Sequence, residues 1–358
     1  MLLSLTACAP AGPSGHVQVA TTPATVPSPT PGATVATPPV APRLVGAYWY
    51  PWYGADGRHW REGYRGTPLL GEYDSADETV IRQQLSWASE YGLDFFAASW
   101  WGPDSYEDRV IRGSLLDALE GSDMRFCILY ESPGLLGVEN GAIGVDEPVR
   151  RQRLTGDFAY LAQHVLGHPA YLQIEGRPVV FLYLTRIFAG DLTAALDEVR
   201  AVVREVTGVE PFLIGDEVYW QLPTSSRLSP FDGVTAYNMH TSVPGIDDGF
   251  ADRVRSRYSI WADAARQQGV AFVPDVIPGF DDTEVRPQAA HPVIPRSPAL
   301  FADQLREALV LASGPVRMVM ITSWNEWHED TSIEPSEAFG MEYLEVLRDL
   351  VREAKEVP

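Results

Sequence analysis

The chain has 358 residues, 45% of them hydrophobic, and 27 Lys and Arg against 48 Asp and Glu give a formal net charge of -21. That length and apolar content support a sizeable core in one large α/β domain or two ordinary ones. The charge excludes nucleic acid and anionic membrane surfaces as partners, since both need clustered Lys and Arg. Neutral substrates remain compatible with it.

Met1 to Cys8 reads M-L-L-S-L-T-A-C, a short apolar run with small residues before a cysteine. This is the pattern of a bacterial lipoprotein signal, though without a basic start and with a short apolar segment. It makes Cys8 the expected lipidation site. The protein is then expected outside the cytoplasm, as a cell-surface lipoprotein or secreted protein, with membrane contact only through that lipid. Residues 9–42 are rich in Pro, Thr, Ala and Val and hold no acidic residue, Lys or Arg. Such a segment cannot bury enough apolar surface to offset its ordering entropy, so it reads as a disordered tether. No stretch approaches the roughly 20 apolar residues of a spanning helix.

From Arg43 the pattern turns globular. Apolar, β-branched runs predict strands at 44–49, 95–99, 125–130, 178–184, 211–215, 233–236, 271–277 and 316–322. Helical periodicity predicts helices at 76–91, 110–120, 149–166, 192–206, 250–268, 298–312 and 336–354. Gly92, Gly121, Gly208 and Gly269 stand where helix C-terminal stops belong. Eight strands alternating with helices fit a (β/α)8 TIM barrel spanning 43–358. The alternative, an open doubly wound sheet, lacks its glycine-rich phosphate turn after the first strand.

Barrels place their chemistry where strand C-termini converge. Y-W-Y-P-W-Y-G at 48–54, with His59 and Trp60, follows the first strand, and S-W-W-G-P at 99–103 the second. Glu131 follows the third, Thr185 and Arg186 the fourth, Asp216 and Glu217 the fifth, and Tyr237, Asn238 and His240 the sixth. P-G-F-D-D-T-E-V-R-P at 278–287 follows the seventh, and S-W-N-E-W-H-E-D-T-S-I-E-P at 323–335 the eighth. Aromatic rings stack on pyranose faces while convergent polar groups read the hydroxyls, so this composition points to carbohydrate. Trp87 and Trp261 fall in helix patterns and read as core filler. Trp100 with Trp101 and Trp324 with Trp327 are expected at the site, because neighbours in an extended segment cannot all enter one core. Cys127, inside a strand, reads as an inert thiol.

Glu326 and Glu329 supply the two carboxyls that glycoside hydrolysis uses, one as acid and one as base or nucleophile. No H-E-x-x-H spacing or cysteine pair supports a metal, and Asp281 with Asp282 is too little for calcium. No G-x-S-x-G elbow or phosphate loop appears. Neither metal nor cofactor is expected.

Together, W-N-E-W-H-E-D-T-S-I-E-P, Y-W-Y-P-W-Y-G and P-G-F-D-D-T-E-V-R-P make residues 44–358 resemble glycoside hydrolase family 99, which contains the endo-α-mannosidases. The resemblance implies a (β/α)8 barrel and a retaining, metal-independent reaction without a covalent glycosyl-enzyme. It implies that Glu326 takes the proton of the sugar 2-hydroxyl, which attacks the anomeric carbon to give a 1,2-anhydro sugar. Glu329 protonates the leaving oxygen and then activates the water that opens the ring. It further implies substrate contacts from Tyr50, Tyr53, Trp60, Trp100, Trp101, Tyr237 and Arg286, joined by Asn325, Trp327 and His328 of the last motif. The expected activity is endo-cleavage of α-mannosidic or related α-linked glycans by a monomer.

The chain departs from the family in three places. Asp330 stands where members usually carry Gly, Ser332 where they carry Gln, and residues 182–188 lack the usual His. Asp330 is expected to raise the pKa of Glu329 beside it. The departures leave room for a barrel associated with polysaccharide biosynthesis, or one that binds carbohydrate without cleaving it.

Overall fold

The computed structural model describes residues 43–237, 239–242, 249–289, 291–312 and 316–356. Cys8, the signal-like segment, the 9–42 tether and Asn238 lie outside the described residues. Nine parallel strands, near-continuously buried, build the barrel: β1 (Arg43–Trp49), β2 (Phe95–Trp100), β3 (Arg125–Tyr130), β4 (Arg177–Leu182) and β5 (Phe212–Asp216). β6 (Gly233–Thr235), β7 (Ala271–Val273), β8 (Asp275–Val276) and β9 (Arg317–Ile321) complete it. Their order along the sheet is β7-β6-β5-β4-β3-β2-β1-β9-β8. Full burial on both faces explains why each strand reads as an unbroken apolar run.

The predicted seventh strand is two pieces. β7 pairs with β6, Ala271 opposite Gly233, while β8 pairs with β9, Asp275 opposite Met320. Pro274 lies between them and has no N–H to continue a ladder. Its carbonyl still accepts from the Met320 N–H at 2.9 Å. The sheet's two ends are thus consecutive stretches of one chain, and the barrel is nearly closed through that link.

Gly46 in β1 shows how tightly the interior is filled. A Cβ there would fall 2.2 Å from the Phe95 ring of β2. Outside the sheet, helices begin at side-chain caps: Asp77 accepts from Thr79 N, Ser105 from Asp108 N, Asp191 from Ala194 N and Ser297 from Leu300 N. Two close at the left-handed Gly208 and Gly269. The helix predicted from 110 starts earlier, at Tyr106, and runs through a π-helical turn, Ile111–Leu115, to Ala118. The final helix is Glu342–Glu356, not one that starts at 336. Ser336 is instead bridged to Pro68 and to Gly340, which tethers the first loop.

Cys127 is fully buried, and desolvation pushes its thiol well up, out of reach of nucleophilic chemistry. Trp261 is core, as predicted, while Trp87 is only partly buried against it. No helix among the described residues is long and apolar enough to cross a membrane.

Candidate active site

The loop after β9 folds back over the C-terminal end of the barrel and is almost entirely buried. Asn325 fixes it to the first loop. Its Oδ1 accepts from the Tyr50 N–H at 2.7 Å, and its Nδ2 donates to the Tyr50 carbonyl and the Tyr73 hydroxyl, both at 3.0 Å. Tyr53 donates to the Asn325 carbonyl at 3.0 Å and accepts from the Trp327 N–H at 3.2 Å. Beneath them, Glu334 accepts from Gln84 at 2.7 Å, Tyr73 at 2.9 Å and Trp327 Nε1 at 3.1 Å. Burial pushes the Glu334 carboxyl up to about 7 against those donors.

On this frame stand three carboxyl groups. Glu326 Oε1 accepts from the backbone N–H of His328 at 3.0 Å and faces its Nδ1 at 3.1 Å. His328 Nε2 lies 2.9 Å from the His59 carbonyl, an acceptor, so it carries a hydrogen. Burial works against charge on His328, but the Glu326 partner outweighs it and raises the imidazole above its ordinary value.

Glu329 has a side chain 14% exposed, with Oε1 2.6 Å from Arg286 Nη1. Burial and then the charge of Glu326 push it up to about 7, against the pull of Arg286. Arg286 is braced in turn by Asp282 at 3.1 Å, itself 2.7 Å from His291. The D-D-T-E-V-R segment therefore serves Glu329 through one guanidinium.

The third carboxyl, Glu131, stands at the end of β3. Burial, reinforced by Glu326 and Glu329, pushes it up to about 8 even though Ser99 Oγ donates to it at 2.6 Å. Trp101 Nε1 donates to the same Ser99 Oγ at 2.9 Å. In the sequence Glu131 is visible at a strand end, without a role. The signal was there, since a carboxyl directly after a barrel strand faces the others.

The aromatic residues divide. Trp101 is 38% exposed, and Trp52, absent from the predicted set, lies 6.4 Å from it and 5.8 Å from His328 between ring centroids. Tyr50 and Tyr237 share a short hydroxyl–hydroxyl hydrogen bond beside the carboxyls. The expectation that the paired tryptophans escape the core is corrected: Trp100, Trp324 and Trp327 are fully buried. They enter two cores, Trp100 and Trp324 the barrel's and Trp327 another. Trp324 packs on Phe96 in the barrel, Trp327 joins Tyr53, Trp60 and Tyr73 in a separate cluster, and Trp100 gives its N–H to Asp108 at 2.9 Å. Trp60 likewise spends its N–H on the Tyr73 carbonyl at 2.7 Å. Asp216 and Glu217 are taken by Arg186 at 3.0 Å and Arg227 at 2.5 Å. His240 is buried against Phe280, and burial holds it neutral with its value down at about 3.

Asp330 does not act on Glu329 as expected. Arg296 holds it at 3.0 Å, and Glu329 feels Glu326, Arg286 and Asp282 instead. Its φ of +53° is the left-handed conformation that glycine adopts freely.

Fold and face together define a (β/α)8 barrel carrying three convergent carboxyls beneath an aromatic rim. The chain belongs to glycosyl hydrolase family 99, whose model matches residues 62–349. It is 24% identical over 373 aligned positions to the uncharacterized protein WxcX of Xanthomonas campestris pv. campestris, covering 90% of this chain and 52% of that one. It is 25% identical over 278 positions to the glycoprotein endo-alpha-1,2-mannosidase of Mus musculus, covering 75% and 56%. The chain thus spans about half the length of these curated relatives. The family 99 endo-alpha-mannosidase from Bacteroides thetaiotaomicron superposes with a TM-score of 0.69 at 21% identity, covering 87% of this chain and 97% of that one. A glycoside hydrolase-like protein superposes at 0.74 with 20% identity, covering 87% and 94%. Both share the fold.

Proposed function

We propose that this barrel is a retaining, endo-acting glycoside hydrolase on α-mannosidic or related α-linked glycans. The observation that carries the reading is Glu329, a buried carboxyl held at about 7 by burial and Glu326 and steered by Arg286. That value suits a group that must give a proton to a leaving oxygen and later take one from water. Glu326 Oε2 has no protein partner among the described residues, while its other oxygen is fixed by His328. It is placed to accept the proton of a sugar 2-hydroxyl. The hydroxyl oxygen then closes on the anomeric carbon as the leaving oxygen departs with the proton from Glu329. Water, deprotonated by Glu329, opens the resulting 1,2-anhydro sugar, and the 2-oxygen recovers its proton from Glu326. Two inversions give net retention.

Trp101, the exposed ring beside the carboxyls, offers a stacking face to a bound glycan. The names of the Mus musculus and Bacteroides relatives support a mannosidic substrate. Tethering outside the cytoplasm through Cys8 is part of the same proposal, resting on the M-L-L-S-L-T-A-C pattern. The test is incubation of the full chain with a panel of α-mannans and α-linked gluco- and manno-oligosaccharides, products read by mass and early anomeric configuration by NMR. Release of an α-anomeric oligosaccharide, lost in Glu326→Gln, supports the reading. Tight glycan binding with no product sinks it in favour of a non-catalytic barrel.

A further inference from the structure

We propose that His328 works as an imidazolium, the fixed counter-ion that keeps Glu326 ionised and leaves only its Oε2 free for the sugar. Both ring nitrogens face acceptors. Nδ1 lies 3.1 Å from Glu326 Oε1, and Nε2 lies 2.9 Å from the His59 carbonyl. A neutral imidazole has one N–H and one lone pair, so it satisfies only one of these contacts. The doubly protonated ring satisfies both. A carboxyl ordinarily gives up its proton about two pH units below imidazole, so the shared hydrogen belongs on Nδ1.

The His59 carbonyl owes its place to backbone geometry. His59 has φ +61°, the left-handed conformation that costs a non-glycine residue roughly 1–2 kcal/mol. Its ring stacks on Trp52, 4.9 Å between centroids, which holds the turn. Tyr53 lies nearly parallel to the His328 ring at 5.8 Å, within reach of a cation–π contact. The titratable groups around the ring are Glu326, Glu62, His59 and Tyr53, whose hydroxyl is spent on the Asn325 carbonyl. Burial disfavours the cation, but Glu326, the His59 carbonyl and Glu62 outweigh it and hold the ring above its ordinary value. Burial lowers His59 against the pull of Glu62, so the second imidazole stays neutral at pH 7.

The three carboxyls then differ by partner. Glu329 has Arg286 at 2.6 Å, Glu131 has the Ser99 hydroxyl at 2.6 Å, and Glu326 has His328. All three are buried together, and the charge of Glu326 helps to raise the other two. Proton abstraction needs one of them ionised, and the one bonded to a buried imidazolium meets that need. The His328 backbone N–H and Nδ1–H both land on Glu326 Oε1, so the oxygen left to meet a sugar hydroxyl is Oε2. With both ring nitrogens engaged, His328 has no hydrogen bond left for substrate. It is a positioning residue that acts through Glu326, not the sugar contact that the family resemblance implies.

The ion pair stands apart from the hydrolase reading, and its catalytic consequence rests on that reading. In the full chain carrying isotopically labelled histidine, proton–nitrogen NMR spectra show which ring nitrogens hold a hydrogen. The His328 signals are those missing in His328→Gln. We expect His328 to carry both hydrogens and to titrate above a free histidine measured alongside, and Glu326→Gln to bring that midpoint down. A ring with one hydrogen throughout, or a midpoint that Glu326→Gln leaves in place, overturns the pair. In kcat/KM profiles His328→Gln, with melting curves to check its fold, should move the acid limb to higher pH, because Glu326 without its cation keeps a proton longer. Its loss against the wild type should be about tenfold greater at pH 5 than at pH 7. An equal loss at both would make His328 a packing residue and overturn the catalytic consequence. If the wild type turns over no glycan, the spectra still decide the pair, and the hydrolase reading is what fails.

Discussion

Arg296 grips Asp330 at 3.0 Å and, with its other nitrogen, donates to the Ser332 carbonyl at 2.5 Å. Two of the chain's departures from its family thus share one partner. Arg296 lies over the Phe339 and Tyr343 rings, 4.8 Å from each centroid, so little of it meets water. Burial raises the Asp330 carboxyl and the guanidinium offsets this. Arg296→Met should leave a largely buried carboxylate unpaired and lower stability by about 2 kcal/mol. Adding Asp330→Gly should recover most of that loss, since glycine needs no charge partner and fits φ +53°. Urea midpoints of the wild type, two singles and the double decide it; additive losses would refute the pairing.

Arg286 opposes the rise of the Glu329 carboxyl. Removing that charge in Arg286→Met should raise Glu329 further above about 7, so the proton is held to higher pH. The alkaline limb of the kcat profile should move upward even as kcat falls. A limb that stays or moves down would show that another group sets it.

Glu326→Gln and Glu329→Gln should each lower kcat about 100- to 10,000-fold, the usual worth of a positioned proton-transfer group. Glycan affinity by calorimetry should stay near the wild-type value. Loss of binding in step with kcat would make these residues binders.

Glu131 is held at about 8, so near pH 6 it is a neutral acid. Glu131→Gln mimics that form and should keep turnover within a few-fold at pH 6. Above pH 8 the wild type gains a third charge beside Glu326 and Glu329, which the variant cannot. The variant should therefore lose less activity between pH 7 and 9, read from paired kcat/KM profiles. Inactivity of Glu131→Gln at pH 6 would mean that the carboxyl itself, which an amide does not replace, takes part in turnover.

Glu334 tests the frame. Its folded value of about 7 lies above the ordinary 4.5, so the folded state favours the protonated form. That stabilisation is complete below about pH 4.5 and is lost as pH rises through about 7, on the order of 3 kcal/mol in all. The stability difference between the wild type and Glu334→Gln should shift toward the variant across that window. A difference independent of pH would sink the assignment.

Most of the barrel was legible because strands buried on both faces leave unbroken apolar runs, as in R-F-C-I-L-Y of β3. The split at Pro274 was visible as a proline but not as a change of partner, because pairing is tertiary. The motif glutamates and Arg286 could be read; their environments could not, since Arg286 meets Glu329, and Arg296 meets Asp330, only on folding. The burial of the paired tryptophans is not legible in the sequence for a specific reason. A segment whose side chains point opposite ways need not expose one of them when it lies between two cores, as Trp324 and Trp327 do.

Pro274 carries one more consequence. Residues 271–273 fix their alignment against β6, and 275–276 against β9, from which the loop with Glu326 and Glu329 departs. A single residue inserted between them would leave the first alignment intact and slide the second by one step, about 3.3 Å. Because β9 is also aligned to β1 at five positions, Glu326 and Glu329 would hold their place while the 278–287 segment with Arg286 moved past them, so this unremarkable proline acts as the ruler that sets Arg286 against Glu329.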